Sequence, residues 1–185
     1  MENILRERLK ENYEKELEGI VNHSMKVRDI SLKIAEKVKL DDRKDIKLIE
    51  IAALLHDIEK PKKNHHKKGS DYIMKKAKKY DEKKDGKFLD CGDDEIKLIA
   101  LIIRHHKGEV EEYNTKCENK EITEKDLRMI EIVRISDKIS KLYKEKNIKN
   151  KDKIEKTKTK IQEEINSLID EGVKEKATNI FKELT

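Results

Sequence analysis

The sequence predicts an all-α protein, and three observations lead to that prediction. Apolar residues recur at helical spacing along most of the 185-residue chain. Residues typical of strands are scarce, with two Phe and no Trp. Proline, which interrupts helices, occurs once, at Pro61. Charged residues make up 46% of the chain and hydrophobic residues 35%, but the helical spacing indicates amphipathic helices around a core rather than disorder.

Two amphipathic helices are predicted at the start of the chain, followed by a buried one. This third helix, over residues 45–60, is apolar nearly all round, which places it at the centre of the fold. Asp41 and Asp42 offer its N-cap, and Pro61 ends it because proline disfavours helix in the preceding residue. The first helix carries Ile4, Leu5, Leu9 and Leu17 on its apolar side, and the second carries Val27, Ile30, Ile34 and Val38.

Two further helices are predicted in the middle of the chain. A short helix over about residues 66–80 follows a basic segment. After a turn-rich connection, Asp93 and Asp94 cap a helix over residues 94–107, and Gly108 ends it.

The last third of the chain divides into a loop, a long helix and a helical extension. Residues 108–122 are expected to form an exposed loop, after which Thr123 and Asp126 open a helix that runs to about residue 145. We predict one domain over residues 1–150. Residues 151–185 form an amphipathic extension that packs either on this domain or on a second copy of the chain in a homodimer.

The charge balance favours a solvated, ion-paired surface over a nucleic-acid footprint. There are 45 basic and 40 acidic residues, which give a net charge of +5. Enrichment in Lys and Glu is typical of heat-adapted proteins, and coding bias of low-GC genomes produces the same composition.

Cysteines and apolar runs predict a cytoplasmic protein. Cys91 and Cys117 lack metal-binding spacing, and no disulfide is expected in such a Lys-rich chain. Residues 1–20 are charged throughout and do not resemble a signal peptide. No apolar run approaches the roughly 20 residues that cross a bilayer, so no membrane association is expected.

Four polar residues fall on apolar helix faces. His23 precedes Val27 by one helical turn, His56 and Asp57 lie on the buried third helix, and Asp137 follows the apolar face of the last long helix. A buried carboxylate without a partner is costly, and so is a charged imidazole. Two His and two Asp from three helices would satisfy one another around a divalent cation. The sequence therefore predicts a metal site.

The order of these residues resembles the signature of the HD superfamily of metal-dependent phosphohydrolases. His23, His56 with Asp57, and Asp137 match its pattern of a His, a His-Asp pair and a distant Asp. The flanking NHSMKVRDIS, ALLHDIEK and RISDKIS segments are similar to those of the family, and the resemblance spans about residues 20–145. It implies a compact bundle of helices, the HD domain, with residues 151–185 added to it.

The resemblance extends to the branch of the family that binds two metals, in which two further His lie between the His-Asp pair and the last Asp. His65, four residues before Gly69, is preferred to His66 for the first position, and His105 is preferred to His106 for the second. This implies a dinuclear site bridged by Asp57. The metals implied are Mn, Fe, Co, Ni, Zn or Mg, one or two per chain. The Gly-Tyr-Pro motif of the cyclic-di-GMP phosphodiesterases is absent.

The resemblance implies hydrolysis of a phosphate ester or anhydride of a nucleotide or similar small molecule. Asp57 would hold the metal and orient the attacking water, Lys60 would neutralise phosphate charge, and Arg104 would contact the phosphate. Two alternatives stay open: a nucleic-acid-binding or RNA-processing protein on the same scaffold, which has few aromatic residues for base stacking, and a helical interaction module with a structural metal. HD oxygenases with a di-iron centre are a minor further alternative.

Overall fold

The computed structural model describes residues 1–38, 40, 42–60, 62–83, 87–148 and 151–185. Within these residues it contains nine α-helices, one short 3-10 helix at Phe88–Asp90 and no strand. The predicted all-α class is therefore confirmed. The helices are α1 Glu2–Tyr13, α2 Leu17–Lys37, α3 Arg43–Leu55, α4 His65–Lys83, α5 Asp93–His105, α6 Val110–Glu118, α7 Glu124–Ile148, α8 Lys151–Ser167 and α9 Glu171–Leu184.

Helix α3 lies at the centre of the bundle, as its apolar sequence predicts. Ile49, Ile51, Ala52 and Leu55 are fully buried, and α3 packs against α2, α5 and α7. The side chain of Asp42 caps the helix by accepting a 2.8 Å hydrogen bond from the backbone N–H of Lys44. The roles predicted for Asp41 and Pro61 lie outside the described residues.

The first and third helices are shorter than predicted. The chain turns over residues 14–16, so that Leu17 opens α2 instead of extending α1. Helix α3 ends at Leu55, and residues 56–60 form tight turns in which the Lys60 N–H donates to the carbonyl of Asp57 at 2.9 Å. These turns place consecutive side chains of the His-Asp pair on the inside of the fold.

The prediction of a loop over residues 108–122 is wrong. Gly108, with φ of 111°, separates α5 from helix α6. Tyr113 of α6 is fully buried, and its hydroxyl donates to Glu131 at 3.5 Å. Val110 and Cys117, on the same face of α6, also pack against the core, so this helix buries a narrow apolar stripe that the sequence analysis missed. Thr123 and Asp126 exchange side-chain hydrogen bonds before α7, as predicted.

Residues 151–185 pack on the main bundle, and their contact with a second copy of the chain stays a prediction. Helices α8 and α9 contact α7, α9 also contacts α2, and their apolar residues join the common core. Asp170 caps α9 by accepting from the N–H of Val173 at 3.0 Å. The division of the chain after residue 150 stays a prediction.

Both cysteines are free thiols, and no disulfide occurs in the described part of the chain. Cys91 is buried at the end of the 3-10 helix. No described helix has the length and apolar character needed to traverse a lipid bilayer.

Candidate metal centre

The four side chains predicted to meet do meet. His23 comes from the middle of α2, His56 and Asp57 from the turns after α3, and Asp137 from α7. His23 Nε2 lies 3.0 Å from Asp137 Oδ1, 3.3 Å from His56 Nε2 and 3.5 Å from Asp57 Oδ2. His56 Nε2 lies 3.3 Å from Asp57 Oδ2 and 3.8 Å from Asp137 Oδ1. Three distant parts of the chain therefore direct nitrogen and oxygen atoms at one point.

A second group of potential ligands uses the other oxygen of Asp57. Asp57 Oδ1 lies 3.1 Å from His65 Nε2 and 3.9 Å from His106 Nε2. His65 opens α4, and His106 caps the C-terminus of α5. The two groups, His23–His56–Asp57 and Asp57–His65–His106, each have ligand atoms within 4.8 Å of one another. Asp57 thus stands between two candidate metal positions.

The structure places His106 in the cluster and not the predicted His105. Consecutive residues near a helix end point about 100° apart, so only one member of the pair can face His65. His105 is buried on the other side, where its ring lies 6.0 Å from that of Tyr113 and its Nδ1 is 3.9 Å from Glu112 Oε2. His65, preferred to His66, is in the cluster as predicted.

Hydrogen bonds fix the orientation of three imidazole rings. The Nδ1–H groups of His56 and His106 donate to the carbonyls of Ala53 and Ile103 at 2.8 and 2.7 Å. These backbone contacts leave each Nε2 free to bind a cation, the arrangement usual for metal-bound His.

Ser140 orients the third ring, that of His23. Its hydroxyl donates to the Asp137 carbonyl at 2.7 Å and accepts from His23 Nδ1–H at 3.2 Å. His23 Nε2 is thereby presented to the cluster as an acceptor. Sequence analysis missed Ser140, although it lies one turn after Asp137.

The cluster contains two buried, ionised carboxylates. Burial opposes ionisation of Asp57 and Asp137, but the neighbouring His and Lys side chains outweigh it and hold the pKa of both carboxyls well below the usual range. Burial would lower the pKa of His56, but the two carboxylates raise it to about 10. In the metal-free protein a proton on His56 therefore balances part of the carboxylate charge.

These residues fit a divalent cation. Nitrogen and oxygen ligand atoms from His and Asp lie within 4.8 Å of one another, and a cation bound among them would displace the His56 proton. Burial lowers the pKa of His106 to about 3, so this imidazole is neutral and able to bind a metal. Imidazole and carboxylate ligands suit several divalent metals, so the donor set does not select one.

Two lysines contact the carboxylates of the cluster. Lys60 Nζ lies 2.5 Å from Asp57 Oδ2, and Lys141 Nζ lies 2.7 Å from Asp137 Oδ2. Lys60 was predicted, whereas Lys141 was missed, although its position four residues after Asp137 was a usable signal. Arg104, predicted to contact phosphate, does not line the cavity beside the cluster.

A cavity of about 1350 Å³ opens onto the cluster at His23. One face each of α2, α7 and α8 lines it, and Lys60 and the start of α6 contribute to its wall. The lining residues of the three helices include Gly19, Ile20, His23 and Lys26 of α2, Arg134, Lys138 and Lys141 of α7, and Thr157, Lys160, Ile161 and Glu164 of α8.

Comparison with known families decides the classification. The family model described as HD domain matches residues 20–142, about two thirds of the chain. The chain belongs to the HD superfamily. HD proteins are generally metal-dependent phosphohydrolases and bind divalent metals, and the His and Asp cluster of this HD chain fits such a site. The comparison with curated proteins and that with solved structures gave no match.

The pair of adjacent histidines allows a direct test of the second candidate metal position in this HD domain. We expect His106→Ala to lower the metal content by about one ion per chain relative to the wild type, because it removes one of three ligands around that position. His105→Ala, a change of the same size one residue away, should leave the metal content unchanged. Metal analysis of the dialysed proteins measures both, and loss of metal only in the His105 variant would contradict this assignment.

Proposed function

We propose that the protein is a phosphohydrolase that uses one or two divalent metals to hydrolyse a phosphate ester or anhydride of a nucleotide or similar small molecule. The observation that carries this proposal is the Asp57-centred cluster, which opens at His23 into a cavity large enough for a substrate. His23 is 19% exposed, so the cluster is reachable from the cavity.

The residues of the cluster would have two roles, to hold the metals and to orient the attacking water. His23, His56, Asp57 and Asp137 would hold one metal, and Asp57, His65 and His106 would hold a second. A divalent metal bound there would lower the pKa of a bound water and polarise the phosphoryl group. Asp57, shared by both groups, would orient the attacking water.

Lys60 would stabilise the charge that grows on the phosphoryl oxygens. Its ammonium group lines the cavity and lies beside Asp57, so a substrate phosphate bound at the cluster would come within its reach.

The cavity favours catalysis over the alternative of a structural metal, because structural sites are closed by their protein ligands. It also argues against binding of a nucleic-acid strand. Among the described residues, its lining includes no Phe, Tyr or Trp on which bases could stack.

A phosphate-release screen tests the proposed function. Metal-free protein should be reconstituted separately with manganese, cobalt, nickel, zinc or magnesium and offered nucleoside monophosphates, dinucleoside polyphosphates, cyclic nucleotides and alarmones. We expect release of phosphate or of a nucleotide product with at least one metal, and none after addition of EDTA. Absence of hydrolysis with every metal and every class would reject the proposed function.

A further inference from the structure

The cavity is a groove along α2, α7 and α8, and the contacts between these helices show which residues lie at each end. Helices α2 and α7 run past each other in the same sense, since His23 contacts Asp137 and Ser140 while Lys26, three residues on, lies 5.3 Å from the ring of Tyr143. Lys26 lies about 5 Å farther along the axis of α2, and therefore along the groove, than His23.

Helix α8 returns along α7 in the opposite direction. Lys138 pairs with Glu164 at 3.0 Å, and Glu131 accepts from the N–H of Ile169 at 2.7 Å. Because the two helices are antiparallel, Lys141, which follows Lys138 by three residues on α7, faces Ile161, which precedes Glu164 by three residues on α8. This register brings Lys141 opposite the turn of α8 that contains Lys160.

Three lysines thus lie at the same end of the groove. Lys26, Lys141 and Lys160 come from three different helices, and all three line the cavity with exposed side chains. Lys141 contacts Asp137 of the metal cluster, so this end lies directly beside the cluster. Lys160 belongs to α8, beyond the segment that matches the HD domain.

Acidic side chains contribute to the lining of the other end of the groove. Arg134 marks it through its contact with the carbonyl of His105 at 3.4 Å and its ion pair with Glu164. Glu109 and Glu111, at the start of α6, line the cavity on this side. Glu163 lies between the two ends on α8. Arg134 and Lys138 are paired with Glu164, whereas Lys26, Lys141 and Lys160 lie together at the end next to the metal cluster.

We propose that Lys26, Lys141 and Lys160 form a second anion subsite, which binds a phosphoryl group linked to the one that reacts. This inference rests on the proposed function and narrows it to substrates with two or more linked phosphoryl groups. Ammonium groups from three helices can surround such a group with charge-assisted hydrogen bonds. A substrate with a single phosphoryl group would leave the subsite unused.

Binding of stable analogues tests the subsite without turnover. Methylenebisphosphonate and methylphosphonate are titrated by calorimetry into manganese-loaded protein, with the metal content measured before and after. We expect the bisphosphonate to bind at least about tenfold more tightly than the monophosphonate, and Lys160→Glu to weaken bisphosphonate binding by at least about tenfold. Methylphosphonate binding should change less than about threefold in this variant.

Lys156→Glu is the matched control, since this exposed lysine lies one turn away on α8 and does not line the cavity. It should leave bisphosphonate affinity within about twofold of the wild type. Lys26→Glu provides a second variant on another helix with the same expected loss as Lys160→Glu. Equal affinity for the two phosphonates, or unchanged bisphosphonate binding in both subsite variants, would overturn the subsite. Failure of the phosphate-release screen, by contrast, bears on the proposed function and not on this binding result.

Discussion

Asp57→Asn is expected to abolish metal retention at both candidate positions and to reduce phosphate release below about 1% of the wild-type rate. The carboxylate is the one residue shared by the two groups, with Oδ2 near His56 and Oδ1 near His65. Loss of a residue that merely supports a ligand costs about 10–100-fold in affinity or activity, so loss of the shared ligand should exceed that range. Metal analysis and the phosphate-release assay measure the two effects.

The matched control is Asp45→Asn on the neighbouring helix α3. Asp45 is also a buried carboxylate with a lysine partner, since Lys125 Nζ lies 3.0 Å from its Oδ1, but it lies outside the cluster. We expect this variant to keep its metal and its activity. An Asp57→Asn protein that retains the wild-type metal content would refute the site.

Glu131→Ala is expected to lower the free energy of unfolding by about 3–5 kcal/mol. The side chain of Glu131 is fully buried and accepts from the backbone N–H groups of Ile169 and Asp170 at 2.7 and 2.9 Å. It also accepts from the Tyr113 hydroxyl. Truncation leaves these donors without a partner in the junction between α8 and α9, and each buried unpaired group costs roughly 1–3 kcal/mol.

Urea unfolding of metal-free protein measures this loss without interference from metal binding. Glu124→Ala, the same substitution at an exposed position in the first turn of α7, should cost less than about 1 kcal/mol. A cost for Glu131→Ala as small as that of Glu124→Ala would show that Glu131 does not hold the C-terminal helices in place.

The helical class and the first metal group could be predicted from the sequence because both follow from periodicity. Along one helix, spacing states which side chains share a face, so His23 among Val27 and Ile34 had to point inward. A buried His or Asp then needs a partner, which made the meeting with Asp137 a physical expectation. The resemblance to the HD pattern pointed the same way, and the structure places these side chains together.

Periodicity within one helix did not predict which of two adjacent histidines faces the metal cluster or whether a weakly apolar segment is buried. His105 and His106 are adjacent, and the rotation of α5 against its neighbours decides that His106 faces His65. Residues 108–122 carry only a narrow apolar stripe, Val110, Tyr113 and Cys117, and its burial depends on contacts with other elements such as α7. Both decisions lie in packing between elements and not within any one of them.

The sequence by itself determined that helices would form and that His23 and Asp137 would lie on inward helix faces, because helical spacing and the cost of burying charge act along the chain. The turns after α3, which the sequence did not predict, bring His56 and Asp57 inward together. Only the tertiary structure decided that Asp57 stands between two groups of ligands and that Lys26, Lys141 and Lys160 line one cavity. These arrangements depend on how far each helix is shifted and rotated against the next. That is fixed by the fit of side chains from different helices, which spacing within a single helix does not contain.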